Sequence, residues 1–376
     1  EGSDGFFQNV TTGKKNDDME SMGARFRGIW NASEALKLDF SLSYDHSDEG
    51  GYPYFYVQEE QIVNNRPSSY KRNMLNAGMN LSYEAPSFVL NATTGYQHLN
   101  DRMFLDQDFI AADIYTLEQD QNLNTVTEEI TIRSKENKKW DWLFGVSGFL
   151  QGLRTYGPVT FQSEGVKWMQ NTINGYMPDL SNMGMSMGVT INDPQIVTGG
   201  LFHTPVTNLA AFHQSTIHLS DKWSATIGMR LDYEHTQMDY DAGSSMNFDF
   251  SMTSARMPIN LKDLQADALF NGKLKRNYVQ LLPKVALKYD IDAQNNLYAT
   301  VSKGYRSGGY NVQMFSDLLQ SSLRNNMMTG IKNGTNSYLD RLAGMGMPAQ
   351  VINMIKGYMD KMPVTTEPSV EETVIF

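Results

Sequence analysis

Six histidines, a methionine run, a glycine-rich stretch and a group of loop tyrosines are the residues of this chain whose types invite chemistry. The histidines are His46, His98, His203, His213, His218 and His235, and they show neither the i, i+4 spacing of a helical metal pair nor an HExxH pattern. His213 and His218 stand five apart on one predicted strand, which points them to opposite faces. The absence of cysteine removes thiolate metal sites, disulfides and cysteine nucleophiles. Met183, Met185 and Met187 form a Met-x-Met-x-Met run, and thioether sulfur is a soft ligand that selects Cu(I). With 23 methionines in the chain, flexible packing of a loop is the simpler reading of that cluster. Gly304 to Gly309 lacks the helix start that a phosphate cradle needs, so it reads as backbone geometry at a strand end. No constellation supplies a nucleophile, a base and an oxyanion donor together. The chain is therefore expected to be no enzyme, with no catalytic residue, no metal site and no cofactor.

Binding is the better prospect. Tyr52, Tyr54, Phe55 and Tyr56 crowd one loop and Tyr310 sits in another. Their aromatic faces suit a catecholate or hydroxamate chelate, or the flat face of a sugar. Arg306 offers a guanidinium to a carboxylate of the wall or to an anionic ligand. These six are the candidate ligand-binding residues; loop packing for the aromatics and a structural ion pair for Arg306 are the competing readings.

The elements that must position them follow a period of two. Leu36, Leu38, Phe40, Leu42 and Tyr44 alternate with Lys37, Asp39, Ser41, Ser43 and Asp45. Trp223, Ala225, Ile227, Met229, Leu231 and Tyr233 oppose Ser224, Thr226, Gly228, Arg230, Asp232 and Glu234. About ten such strands are predicted, over 20–30, 35–46, 69–84, 86–100, 123–135, 138–153, 206–220, 222–240, 277–291 and 295–308. Short and long connections alternate strictly between them, which puts all short turns at one end of a meander. Trp30, Trp140, Trp142 and Trp223 lie near those short turns, and second aromatics follow eight to ten residues on, as Phe88 to Tyr96 and Trp223 to Tyr233. Such a gap spans ~20–25 Å of height on a tilted strand, the thickness of a membrane barrel's apolar band. Only 19% of residues are charged, and no apolar run of the length of a transmembrane helix occurs. The net charge of −11 disfavours a nucleic-acid partner. Lys37, Asp39, Glu129, Arg133, Arg230 and Asp232 are expected on a hydrated inner wall.

Two stretches carry a resemblance. Thr127-Glu128-Glu129-Ile130-Thr131-Ile132-Arg133-Ser134, then Trp140-Asp141-Trp142-Leu143-Phe144-Gly145-Val146, form one. Leu282 to Tyr289, then Leu297 to Val301 and Ser302-Lys303-Gly304-Tyr305-Arg306-Ser307-Gly308-Gly309-Tyr310-Asn311, form the other. Both resemble the barrel of TonB-dependent outer-membrane receptors, over about residues 1 to 311. The resemblance implies an all-β fold: an antiparallel, up-and-down transmembrane β-barrel, here about 10–11 strands of 22, with long external loops. It implies a bacterial outer-membrane location and contact with membrane lipid. It also implies TonB as a partner through an N-terminal plug domain, which does not precede residue 1 in this sequence. Residues 1–376 are thus expected to be a partial barrel domain, with 312–362 a loop of two or three short helices punctuated by Gly330, Gly334, Gly344 and Pro348. Val370 to Phe376 are expected to begin a further strand. The implied cargo is a large scarce nutrient: a ferric siderophore first, cobalamin or an oligosaccharide as alternatives within the family. A passive porin or adhesive barrel, and a soluble glycan-binding β-protein, are the readings from other classes.

Overall fold

The computed structural model describes residues 1–55, 57–58, 60–135, 139–254, 258–362, 364 and 369–376. Among the described residues thirteen strands form one antiparallel sheet. In chain order they are β1 (Gly2–Ser3), β2 (Met19–Asn31), β3 (Leu36–Gly50), β4 (Ser69–Glu84), β5 (Phe88–Asp106), β6 (Tyr115–Ser134) and β7 (Trp140–Tyr156). They continue with β8 (Val159–Phe161), β9 (Met185–Ile191), β10 (Ile196–His218), β11 (Trp223–Ser254), β12 (Ile259–Asp290) and β13 (Asn296–Ser302). The helices are α1 (Ser163–Gly175), α2 (Met314–Gly344), α3 (Ala349–Met359) and α4 (Val370–Val374). Ten strands run as a meander from β2 through β7 and then β10 to β13; β8 pairs with β6 and β10, and β9 with β11. Among the described residues no pairing joins β13 to β1.

Alternation produces two different faces. Ladder partners share a face, so pairs such as Leu38↔Leu81, Ile130↔Val146 and Ile227↔Val285 place their side chains outward together. No second layer covers them: Phe40 is 40% exposed, Ile227 59% and Val285 56%. Aromatics ring the short-turn end, where Trp223 lies 4.6 Å from Tyr289 and Tyr83 6.5 Å from Phe88 between ring centroids.

The strands also run farther than alternation of a single phase suggested. Residues 241–276 were expected to be a long loop. Instead β11 and β12 form one hairpin of 32 residues on each side. The reason is a change of phase. Up to Tyr233 the odd, outward residues of β11 are apolar and the even ones polar. Beyond it the outward residues are Gln237, Asp239, Asp241, Ser245 and Asn247, whereas Met238, Ala242, Met246, Phe248, Phe250 and Met252 are buried on the inner face. β12 switches in step, with Ala266 and Ala268 buried inside and Lys273 and Lys275 outside. An inverted phase marks a change in what surrounds the outward face, while the backbone stays extended.

The apolar inner face above the switch is covered by α2. Phe315, Leu318, Leu319, Leu323, Met327, Met328 and Ile331 of the helix join Met238, Phe248 and Phe250 of the sheet in one buried cluster, with Ile352, Ile355 and Met359 of α3. Burial overrode the glycines: α2 passes through Gly330 and Gly334 as a single 31-residue helix in place of several short ones. The side chain of Leu261 lies where a Cβ on Gly334 would stand, so the small residue permits close packing there. Val370–Val374 are helical, not a further strand. Ser369 caps this turn by accepting from the Glu372 amide and donating to the Glu372 carboxylate, a local capping arrangement.

Candidate functional site

The inner face below the switch is polar and internally paired. Arg27 on β2 grips Asp39 on β3 through two hydrogen bonds of 2.5 and 2.9 Å. Arg230 reaches Asp232 on its own strand at 2.5 Å and also donates to Ser147. Its guanidinium lies 5.4 Å from the centroid of the Phe212 ring. That ring lies flat across Gly145, where an added Cβ would meet it at 2.2 Å, so the glycine keeps the aromatic against the wall. Lys37, Glu129 and Arg133 share this face and are exposed.

Above the wall, the inner face closes into a groove between α1, α2 and the upper ends of β6, β7 and β10. One part is a cavity of about 490 Å³ lined by Tyr115, Phe161, Trp168, Phe202, Phe315 and neighbouring polar residues. The adjoining part, about 310 Å³, shares Trp168, Asp317 and Gln320 with the first and adds Tyr176 and Arg324. Both volumes suit a compact organic ligand or one section of a larger one. The polar lining is mostly uncharged: Gln107, Gln119, Gln313, Gln320, Thr155, Thr172, Ser316 and Ser321. Trp168 lines both parts and is 56% exposed. Asp317 and Arg324 supply one charge of each sign, and both are exposed on α2. Glu118 also borders the groove, but its carboxylate is engaged by Arg102 at 2.8 Å.

The residues singled out from sequence fall in three separate places. Tyr52 stacks on Tyr54 at 6.5 Å, and Tyr54 meets the edge of Phe109 at 5.5 Å, so this loop builds a small aromatic knot. Tyr52 has a positive φ of 58°, and burial beside Glu49 raises its phenol above the ordinary value. Phe55 is 50% exposed; Tyr56 lies outside the described residues. Tyr310 packs against the helical cluster, and its OH donates to the Thr236 carbonyl at 3.4 Å. Arg306 is exposed and makes no ion pair among the described residues. None of these residues lines the α1–α2 groove. Trp168, Phe315 and Gln320 do, and sequence reasoning passed over them because they sit in loop segments whose helices bring them together only in three dimensions. Met185 and Met187 pair through β9 with Ser254 and Met252 of β11 and pack onto the apolar cluster.

A ten-strand meander with one exposed apolar face, a polar inner wall and a helical cover at one end is a membrane barrel wall. The family described as TonB dependent receptor-like, β-barrel matches residues 17–341. The chain belongs to the TonB-dependent receptor family. Such receptors are transport proteins and not enzymes, and their barrels lie in the bacterial outer membrane, so hydrocarbon wets the outward face described above. Among solved structures, the ferric yersiniabactin uptake receptor FyuA from Yersinia pestis is similar over 83% of this chain and 42% of its own, at 14% identity and a TM-score of 0.53. The ferric-catecholate import receptor Fiu from Escherichia coli is similar over 78% and 48%, at 12% identity and a TM-score of 0.44. The siderophore receptor PiuA from Acinetobacter baumannii is similar over 79% and 50%, at 10% identity and a TM-score of 0.42. The chain thus spans half or less of each of these receptors, and the Yersinia likeness speaks for the fold alone. No match among curated proteins accompanies these.

Proposed function

We propose that this barrel wall belongs to an outer-membrane receptor that takes up a large, scarce nutrient with energy delivered through TonB. The observation that carries the reading is the family match over 17–341, joined to a groove that opens on the polar inner face at the end of the long connections. External loops and the α1–α2 groove bind cargo. A pull on a plug domain inside the barrel then opens a route along the paired charges of the wall. A ferric siderophore is the first cargo to test, because the similar Yersinia structure is a ferric yersiniabactin uptake receptor. Uptake of labelled ferric chelate by cells carrying the full-length receptor should fall to background when TonB is deleted. Equal uptake without TonB would refute energy coupling.

The groove favours a second cargo. An anionic chelate calls for a cluster of cations, yet Arg324 is the one cationic side chain lining the groove among the described residues, and Asp317 of the same helix lines it too. Amides, hydroxyls and an exposed indole are the groups that hold a neutral sugar chain. Oligosaccharide uptake is therefore the reading to run in parallel, and competition between a ferric chelate and a mixed glycan for binding decides between them.

A further inference from the structure

α1, one wall of the groove, is fastened to the sheet in two ways. Gln170 and Asn174, one turn apart on the helix, stand in for a neighbouring strand along the edge of β9 that does not pair with β11. The Val189 amide donates to Asn174 Oδ1 at 2.7 Å, Asn174 Nδ2 donates to the Val189 carbonyl at 3.0 Å, and the Ile191 amide donates to Gln170 Oε1 at 2.9 Å. The other fastening is apolar. Alternation along β9 turns Met185, Met187, Val189 and Ile191 onto the buried cluster and leaves Ser186 and Thr190 exposed. Val166 and Ile173 of α1 join that cluster, and Met169 and Met177 pack against it.

Methionine is concentrated in this seam. Among the described residues seven methionines are buried in the cluster and six more pack half-buried against it, thirteen of the 23 in the chain. They are ordered by depth. Met169, Met177, Met185 and Met187 are half-buried at the margin, whereas Met252, the ladder partner of Met187, and Met246 are 1% and 2% exposed. Met169 and Met246 also line the smaller part of the groove, so the seam borders the cavity itself. A thioether packs as a flexible hydrophobe, and in a chain without cysteine it is also the side chain most readily oxidised.

We propose that Met169, Met177, Met185 and Met187 form an oxidant-sensitive modification site that unfastens α1 and removes this wall of the groove. With hydrogen peroxide, the sulfur lone pair bonds to one peroxide oxygen as the O–O bond breaks. The other oxygen leaves as hydroxide and takes up the proton released by the transferred hydroxyl, so the products are sulfoxide and water. The sulfur gives up two electrons and the peroxide gains them. A sulfoxide oxygen is a strong acceptor, but the side chains buried in the cluster are hydrocarbon and thioether, which offer it no donor. The oxidised margin turns to water, β9 loses its apolar hold, and the amide clamp of Gln170 and Asn174 lets go with it. Leucine at the same positions would pack comparably and stay inert.

The test treats the full-length receptor in detergent with hydrogen peroxide. Peptide mass spectrometry reads the sulfoxide at each methionine, and limited proteolysis reads the protection of residues 163–191. Neither readout needs a cargo, so the outcome is separate from the uptake reading. Sulfoxide should build up at the four marginal methionines while Met252 stays reduced, and cleavage within 163–191 should speed up about tenfold with β3 to β6 unaffected. Methionine sulfoxide reductases should restore the original rate. Combining Met169→Leu, Met177→Leu, Met185→Leu and Met187→Leu should abolish the acceleration. If that variant does not assemble, Met185→Leu with Met187→Leu should weaken it, and reductase reversal on the wild type carries the test. Sulfoxide at Met185 and Met187 with unchanged cleavage overturns the proposal, as does equal acceleration in an assembled leucine variant. So does resistance of all four methionines to peroxide that oxidises Met345, which is 83% exposed.

Discussion

At the scale of single residues, the chemistry of this molecule lies in how polar groups are satisfied. Asp106 ends β5, almost wholly buried, and burial together with Asp108 and Asp113 nearby pushes its carboxyl up to about 6. One of its oxygens accepts from the Arg66 amide at 3.0 Å, while the other has no partner. The folded value lies above the unfolded one near 3.8, so this group's contribution to stability is full below that value and is lost as pH rises through about 6. Amide protection in the loops that meet at Arg66 and Asp106, measured against the intrinsic exchange rate at each pH, is expected to be lower at pH 8 than at pH 5, and Asp106→Asn should flatten that difference. Asp113 acts in the opposite sense, because the Arg66 guanidinium holds its carboxyl low. In the groove, Trp168→Ala should weaken cargo binding about tenfold, in line with loss of one aromatic contact, and leave barrel assembly intact because the ring is largely exposed. Titration calorimetry with the transported cargo reads this directly, and unchanged affinity would remove the groove from the binding path. Residue types alone gave a partial view of all this. Tyr52, Tyr54 and Arg306 were visible as chemically able side chains, yet nothing in their spacing placed them apart from Trp168.

At the scale of elements, period-two alternation located the strands well and their upper ends poorly. β4 spans 69–84 as read from sequence, with its outward apolar residues in one phase from Leu75 to Tyr83. β11 and β12 did not end where that phase broke; their apolar residues crossed to the inner face to meet α2. A helical segment in a loop was legible from the spacing of Leu318, Leu319, Leu323, Met327 and Met328. Its continuity through Gly330 was not, since intrinsic propensity disfavours glycine by about 1 kcal/mol and only the burial gained against Phe248 and Leu261 offsets it. If that burial holds the helix, Ile331→Asp should release it. Ile331 is fully buried, and an unpaired carboxylate there costs several kcal/mol. Limited proteolysis should then cut within 314–344, while the heat-modifiable shift of the membrane strands persists. A loss of barrel assembly instead would mean that α2 is needed to build the wall itself.

At the scale of the whole molecule, two surfaces exchange roles at one level, and the location of that level is a physical claim about where the bilayer ends. Ile227 and Ser245 lie on the same strand, on the same outward face, and both are exposed. They differ in what surrounds them: acyl chains below the Tyr233–His235 row, water above it. A guanidinium forced into the hydrocarbon of a barrel costs about 2–4 kcal/mol near the midplane and almost nothing at the edge. Ile227→Arg should therefore lower the denaturant midpoint of the assembled receptor and slow its insertion into vesicles. Ser245→Arg should leave both unchanged, despite being the same kind of outward substitution on the same hairpin. A soluble sheet whose outward face met water along its whole length would tolerate both equally, and one packed against a second protein layer would reject both. The pair thus separates a membrane wall from every other sheet with the same alternation. It also fixes the height at which the groove between α1 and α2 opens, on the far side of the bilayer from the short turns.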